Sequence, residues 1–113
     1  MKIDPGELRT KVAYEAKVVV GRDLDGQEVR DWSTVWEGFA AVRALSAKEV
    51  YYAGGNAAEG LHRVTIRWRP DVEHSGRFRL LGTSPPQYLY VTGVVNVERR
   101  NAWLVVAATS KPR

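Results

Sequence analysis

The chain contains no cysteine, which excludes a disulfide framework and any thiolate metal site. Histidine is almost as scarce. His62 borders a strand pattern and His74 lies in a turn; neither has metal-ligand spacing, and both read as surface residues. No apolar run approaches the roughly 20 residues that a membrane helix needs, the stretch 103–108 being far shorter. Met1-Lys2-Ile3-Asp4-Pro5-Gly6 is followed by no apolar core of a signal peptide, so synthesis in the cytosol without membrane attachment is expected. A G-x-S-x-G nucleophile elbow, a P-loop and a dinucleotide-binding glycine fingerprint are all missing. Gly54-Gly55 lacks the Lys-Ser/Thr pair that a phosphate cradle requires. Asp23 and Asp25 do not begin a calcium loop, because the position that should carry the closing Glu is Thr34. Asp71 and Glu73 read as solvating charges in a turn. No cofactor is implied, and a small hydrolase is the weakest of the readings considered.

What remains is a soluble, globular composition: 113 residues, 44% hydrophobic and 27% charged, enough for a single domain (1–113) with one modest core. Charge is unevenly spread. Residues 1–60 carry eight Lys/Arg and ten Asp/Glu, a balance of −2; residues 61–113 carry nine and three, a balance of +6. Twelve of the seventeen basic residues are Arg, a bias that suits interface ion pairs and phosphate contacts. A basic half favours an acidic partner or nucleic acid.

The apolar pattern has a period of two almost throughout. Val12, Tyr14, Ala16, Val18 and Val20 share one face of a half-buried strand, with Glu15 and Lys17 on the other. Asp25-Gly26 is a hairpin turn, after which 27–32 returns antiparallel. A further strand spans 36–45 beyond a light break at Ser33-Thr34. Other strands are expected over 61–69, 77–81, 88–98, with Gly93 marking a bend or bulge, and 102–109. The fold class is therefore mainly β: a small antiparallel barrel or sandwich of about six or seven strands. The exception lies at 46–60. Ser46-Ala47-Lys48-Glu49 fits a capping box, and 47–53 contains neither Pro nor Gly, so one short helix and a loop interrupt the strands mid-chain. This insertion is either a crossover packed on its own barrel or a projecting arm.

The strongest side-chain signal is an arginine ladder. Arg63, Arg67 and Arg69 project from one face of 61–69, and Arg77 and Arg79 join that face if 61–69 and 77–81 form a hairpin. Like charges placed opposite one another need an answer. Asp71, Glu73 and Glu98, a neighbouring subunit, or DNA phosphates can each supply it; a solvated face is the plain alternative. Tyr88 and Tyr90 would serve a nucleic-acid-binding barrel of the OB type, or simple sheet packing. Trp32 and Trp36 cannot both be buried by plain alternation, so one is a candidate interface anchor.

The order of short motifs adds a resemblance. Gly6-Glu7-Leu8-Arg9 opens the chain; Asp25-Gly26, Trp32, Phe39-Ala40-Ala41-Val42, Leu45-Ser46 and Glu49 follow. Then come Val64-Thr65-Ile66-Arg67-Trp68-Arg69, Arg77-Phe78-Arg79-Leu80, Tyr88-Leu89-Tyr90-Val91 and Arg99-Arg100 ahead of Trp103-Leu104-Val105-Val106. Over almost the whole chain this resembles the head–tail joining (head-closure, head-completion) proteins of tailed bacteriophages. Phe39 stands where that family usually has Trp, with Trp36 nearby, and Gly54-Gly55 shortens the helix that commonly follows Glu49. The resemblance implies a structural virion protein of phage, prophage or gene-transfer particle, assembled in the host bacterial cytoplasm and not an enzyme. It implies a small β-barrel subunit of a ring beneath the portal and its adaptor, which closes the DNA exit channel and docks the tail or a tail-completion protein. On this reading 46–60 becomes an arm, with Tyr51 and Tyr52 as contact residues, because a helix on a small barrel buries only one of two adjacent tyrosines well. Gly54 and Gly55 act as its hinge. The expected assembly surface comprises Glu49, Tyr51, Tyr52, Arg63, Arg67 and Arg69, with non-specific contact to packaged DNA as a further role for the arginines.

Overall fold

The alternating series from Val12 onward forms β1 (Thr10–Arg22), which returns through a tight turn as β2 (Glu28–Ala44). The Asp23 carboxylate ties that turn together, accepting the backbone N–H groups of Asp25 at 3.0 Å and Gln27 at 2.9 Å. Gly26 takes a positive φ of 81° there, which explains the glycine. Four further strands follow: β3 (Leu61–Arg67), β4 (Arg77–Leu80), β5 (Gln87–Asn96) and β6 (Trp103–Thr109). Single 3-10 turns stand at Pro5–Glu7 and Val97–Arg99. A computed structural model of the chain describes residues 5–46, 60–73 and 75–110. The expected helix over 47–53 and the loop up to residue 59, with Glu49, Tyr51, Tyr52, Gly54 and Gly55, lie outside the described residues.

The six strands close into an antiparallel barrel in the order β1-β2-β3-β6-β5-β4, with β4 pairing back onto β1. Closure removes the exposed edges that an open sheet of this size would present. Inward-facing side chains fill the interior: Val12, Tyr14, Val64, Ile66, Phe78, Val91 and Val106 are fully buried.

Two expectations are corrected. The strands expected at 27–32 and 36–45 are one continuous β2, bent by a bulge where Ser33-Thr34 suggested a break. Tyr14 pairs with Trp36 but Glu15 pairs with Thr34, so Val35 is the extra residue. The bulge resets the alternation. Trp36 packs against the core while Trp32 lies on the outer face, opposite Lys17. Further, β3 and β4 do not form a hairpin. β3 lies between β2 and β6, whereas β4 lies between β1 and β5. The expected bulge near Gly93 is present, with Thr92 as the extra residue between the Val91 and Gly93 pairs.

The connection between β3 and β4 caps one end of the barrel. Val72 packs against the core, and the Tyr14 hydroxyl reaches out to the backbone of Glu73. It accepts that residue's N–H at 2.8 Å and donates to its carbonyl at 3.3 Å. Gly76 is required beside it, because a Cβ there would stand on the Tyr14 ring and hydroxyl. Burial raises the Tyr14 phenol above its ordinary value of 10.0, outweighing the opposing effect of the Glu73 hydrogen bond. A raised folded-state value means that the stabilising contribution is complete below pH 10 and is lost as pH rises through the shifted value. The expected result is a stability that falls on the alkaline side of 10. Tyr14→Phe should flatten that fall while lowering stability at neutral pH by about 1–2 kcal/mol. Thermal unfolding of both proteins across that range checks the prediction; parallel profiles would refute it.

Candidate assembly surface

Of the arginine ladder, only Arg63 and Arg67 share the open outer face of β3. Arg63 pairs with Arg43 of β2 on one side and Ala107 of β6 on the other. The Arg67 guanidinium lies 5.0 Å over the Trp103 ring, a cation–π placement. Arg69, beyond the end of β3, is engaged within its own loop. It donates two hydrogen bonds to Asp71, at 3.0 and 2.8 Å, and stands 5.2 Å over the Trp36 ring. The hydrogen bonds from Arg69 hold the Asp71 carboxyl below its ordinary value.

Arg77 and Arg79 sit on the far side of the barrel, and the group that answers them is Glu15. Their strand pairings bring Glu15 opposite Arg77 and Ala13 opposite Arg79. Arg77 Nε donates to Glu15 Oε1 at 2.8 Å, and Arg79 Nε lies 3.2 Å from Oε2. Glu15 is only 8% exposed although it is on the outer face. Its cover comes from the aromatic groups around Arg77, whose guanidinium lies 4.1 Å from the Trp32 ring centre and 4.0 Å from that of Tyr88. Trp32 also meets Tyr90 edge-on at 6.4 Å. Tyr88 and Tyr90 are thus committed to the protein's own arginine and tryptophan. Alternation placed Glu15 with the solvated residues and missed it. The available signal was the match between Arg77-Phe78-Arg79 and Ala13-Tyr14-Glu15, each an aromatic residue flanked by outward positions.

This clamp ties together β2, β1, β4 and β5 at the point where the β1–β2 hairpin leaves the barrel. Beyond Glu15, the last β1 residue paired with β4, β1 pairs with β2 alone. The hairpin therefore projects roughly 20 Å past that pair, at about 3.3 Å per residue. Its outer part exposes Val18, Val19, Val20, Leu24 and Val29. β2 begins in this projection and runs back along the barrel to Ala44.

A second feature lies on the opposite side. Leu45, Arg63, Gly93, Val95, Val105 and Ala107 line an apolar groove of about 450 Å³ across β3, β6 and β5. His62 stands at its border, donating from Nδ1 to the Gly60 carbonyl at 2.7 Å. Among the described residues no group of three or more His, Cys, Asp or Glu side chains is placed to hold a metal ion. What the described surface presents is a set of exposed valines on the hairpin and an apolar groove on the barrel wall.

The structure belongs to the class of small closed β-barrels, here with a two-stranded hairpin that protrudes from it. The model of the phage head completion protein family matches residues 3–111, and the chain belongs to that family. It is thus a structural component of the phage head, of the head–tail joining class. It is 29% identical over 92 residues to head completion protein gp7 of Enterobacteria phage HK97, covering 80% of this chain and 81% of that protein. Its fold matches the solution structure of protein SF1141 from Shigella flexneri 2a, with a TM-score of 0.72 at 24% identity over 95% of this chain and 96% of the other. It also matches a chain in the virion of a native gene transfer agent particle, with a TM-score of 0.55 at 20% identity over 92% and 96%.

Proposed function

We propose that the chain is a connector subunit. Copies form a ring beneath the portal and its adaptor, close the DNA exit channel once packaging ends, and present a docking surface to the tail or a tail-completion protein. The observation that carries this reading is membership of the head completion family over nearly the whole chain. The likeness of its fold to a chain of an assembled virion supports it. The mechanism is mechanical. A subunit that bridges two partners needs a rigid body and separate contact surfaces, and the clamped barrel with its projecting hairpin meets both needs. Glu49, Tyr51 and Tyr52 remain proposed contact residues of 46–60, with Gly54 and Gly55 as its hinge. Arg63 and Arg67 supply positive charge for protein or DNA contact, whereas Arg69 is already held by Asp71.

Electron microscopy of particles made without this gene tests the proposal. Expected are heads and free tails that fail to join, with packaged DNA lost from the unsealed heads. Normally filled and tailed particles would sink it.

A further inference from the structure

The apolar series of β1 outruns the barrel that should cover it. Val12 and Tyr14 are fully buried and Ala16 packs against the core. Val18 continues the series yet is 40% exposed, and Val20, the extra residue of a second bulge between the Val19 and Gly21 pairs that breaks the expected alternation, is 60% exposed. Val29 of β2 and Leu24 at the tip add to the uncovered surface. A two-stranded ribbon is marginal by itself, and these exposed apolar side chains lie on an element that projects from the barrel, where a partner surface can cover them.

Charge indicates what covers it. Between 18 and 31 the hairpin carries Asp23, Asp25, Glu28 and Asp31 against Arg22 and Arg30, a balance of −2. Glu28 takes both arginines, at 3.9 and 3.1 Å. Asp23, Asp25 and Asp31 have no cation within ion-pair distance among the described residues. On the other side of the molecule, the apolar groove is bordered by Arg63, with Arg67 further along the same strand face. Neither has a carboxylate within ion-pair distance among the described residues. Val95, in the groove, is 61% exposed. An acidic, valine-rich hairpin and a basic, valine-lined groove are complementary, and they lie on different faces of one chain.

We infer that the hairpin of one copy seats in the β3–β6–β5 groove of a second copy, with Val18, Val20 and Leu24 entering the groove and the tip aspartates meeting Arg63 and Arg67. The contact joins two different surfaces, so each subunit offers one of each and the assembly propagates until it closes on itself. This deepens the connector reading, on which the closed ring rests, by naming the surfaces between adjacent subunits.

The test uses the full chain in solution. Sedimentation at rising concentration and low salt should show wild-type protein associating beyond a dimer, and salt should weaken that association. One variant, Val20→Asp with Leu24→Asp, removes the hairpin surface; another, Val95→Asp, removes the groove. Each should stay monomeric where wild type associates, with affinity down by about tenfold or more, and with a nearly wild-type melting temperature because all three positions are exposed. A mixture of the two variants should form a one-to-one heterodimer and stop there, since only one intact hairpin faces one intact groove. Wild type that is monomeric at every concentration overturns the inference. So does a hairpin variant that still associates, which would point to another contact, or a groove variant that still associates, which would mean the hairpin pairs with itself or that the groove is covered within its own chain. These failures leave the joining of heads to tails standing, since particle microscopy reads that separately.

Discussion

Glu15→Ala is expected to destabilise the domain by about 3 kcal/mol, within the range seen when one partner of a buried ion pair is removed. Glu15 is 8% exposed and sits between two guanidinium groups. Removing it leaves Arg77, whose side chain is 14% exposed, without its counter-charge and held between two aromatic rings. Arg79 is a third exposed and can turn to solvent, so its share is small. Urea unfolding should show the midpoint falling with little change in slope. A second substitution, Arg77→Leu, should restore part of the loss, because the unpaired charge goes with it. Arg77→Lys should not substitute for Arg77, since an ammonium lacks the planar group that stacks on Trp32 and Tyr88. A Glu15→Ala midpoint within error of wild type would show that water reaches the clamp after all.

Phe78→Ala is expected to cost about 3–5 kcal/mol, the usual range for truncating a buried phenylalanine. β4 has only four residues, and Phe78 is the one side chain among them that is fully buried. It meets the Tyr14 ring at 5.3 Å across the β1–β4 pair that closes the barrel. The cavity would therefore open at the shortest strand of the ring. The melting temperature should drop by on the order of 15 °C for a domain of this size. Hydrogen exchange should show amides of β4 and the facing part of β1 losing protection before those of β3 and β6. Uniform loss of protection across all six strands would argue that the barrel opens only as a whole.

Much of this architecture was legible in the alternation. Val64, Ile66 and Trp68 against Arg63, Thr65 and Arg67 locate β3 to within two residues, and Asp25-Gly26 marks the hairpin turn. Three things were not. The bulge at Val35 has no local signature, since Ser33-Thr34-Val35 is compatible with either a break or a bent strand. The neighbour of β4 is not readable from sequence, because alternation gives the faces of a strand but not its place in a barrel. β4 pairs with β1, more than sixty residues away, rather than with the strand just before it. Glu15 is illegible for the same reason, being buried by residues that barrel closure brings together. For the candidate surface, Arg63 and Arg67 do share an outer face, while Arg69 belongs to the capping loop. The alternation holds from Val12 to Val18 and is broken at Val20 by a bulge that the valine-rich sequence does not announce, and only the end of the barrel shows that these valines outrun their cover.

The bulge at Val35 has a consequence for length variation. It is a phase shifter between two halves of one strand: upstream, Trp32 faces the clamp; downstream, Trp36 faces the interior. Trp32 and Trp36 are four residues apart, a spacing that unbroken alternation would place on one face; the unpaired Val35 sets them on opposite faces, and deleting it would leave every neighbouring pair and both facings in place. A single residue is therefore lost at least cost at the bulge, whereas a single gain or loss elsewhere in the strand turns the side chains beyond it to the opposite face.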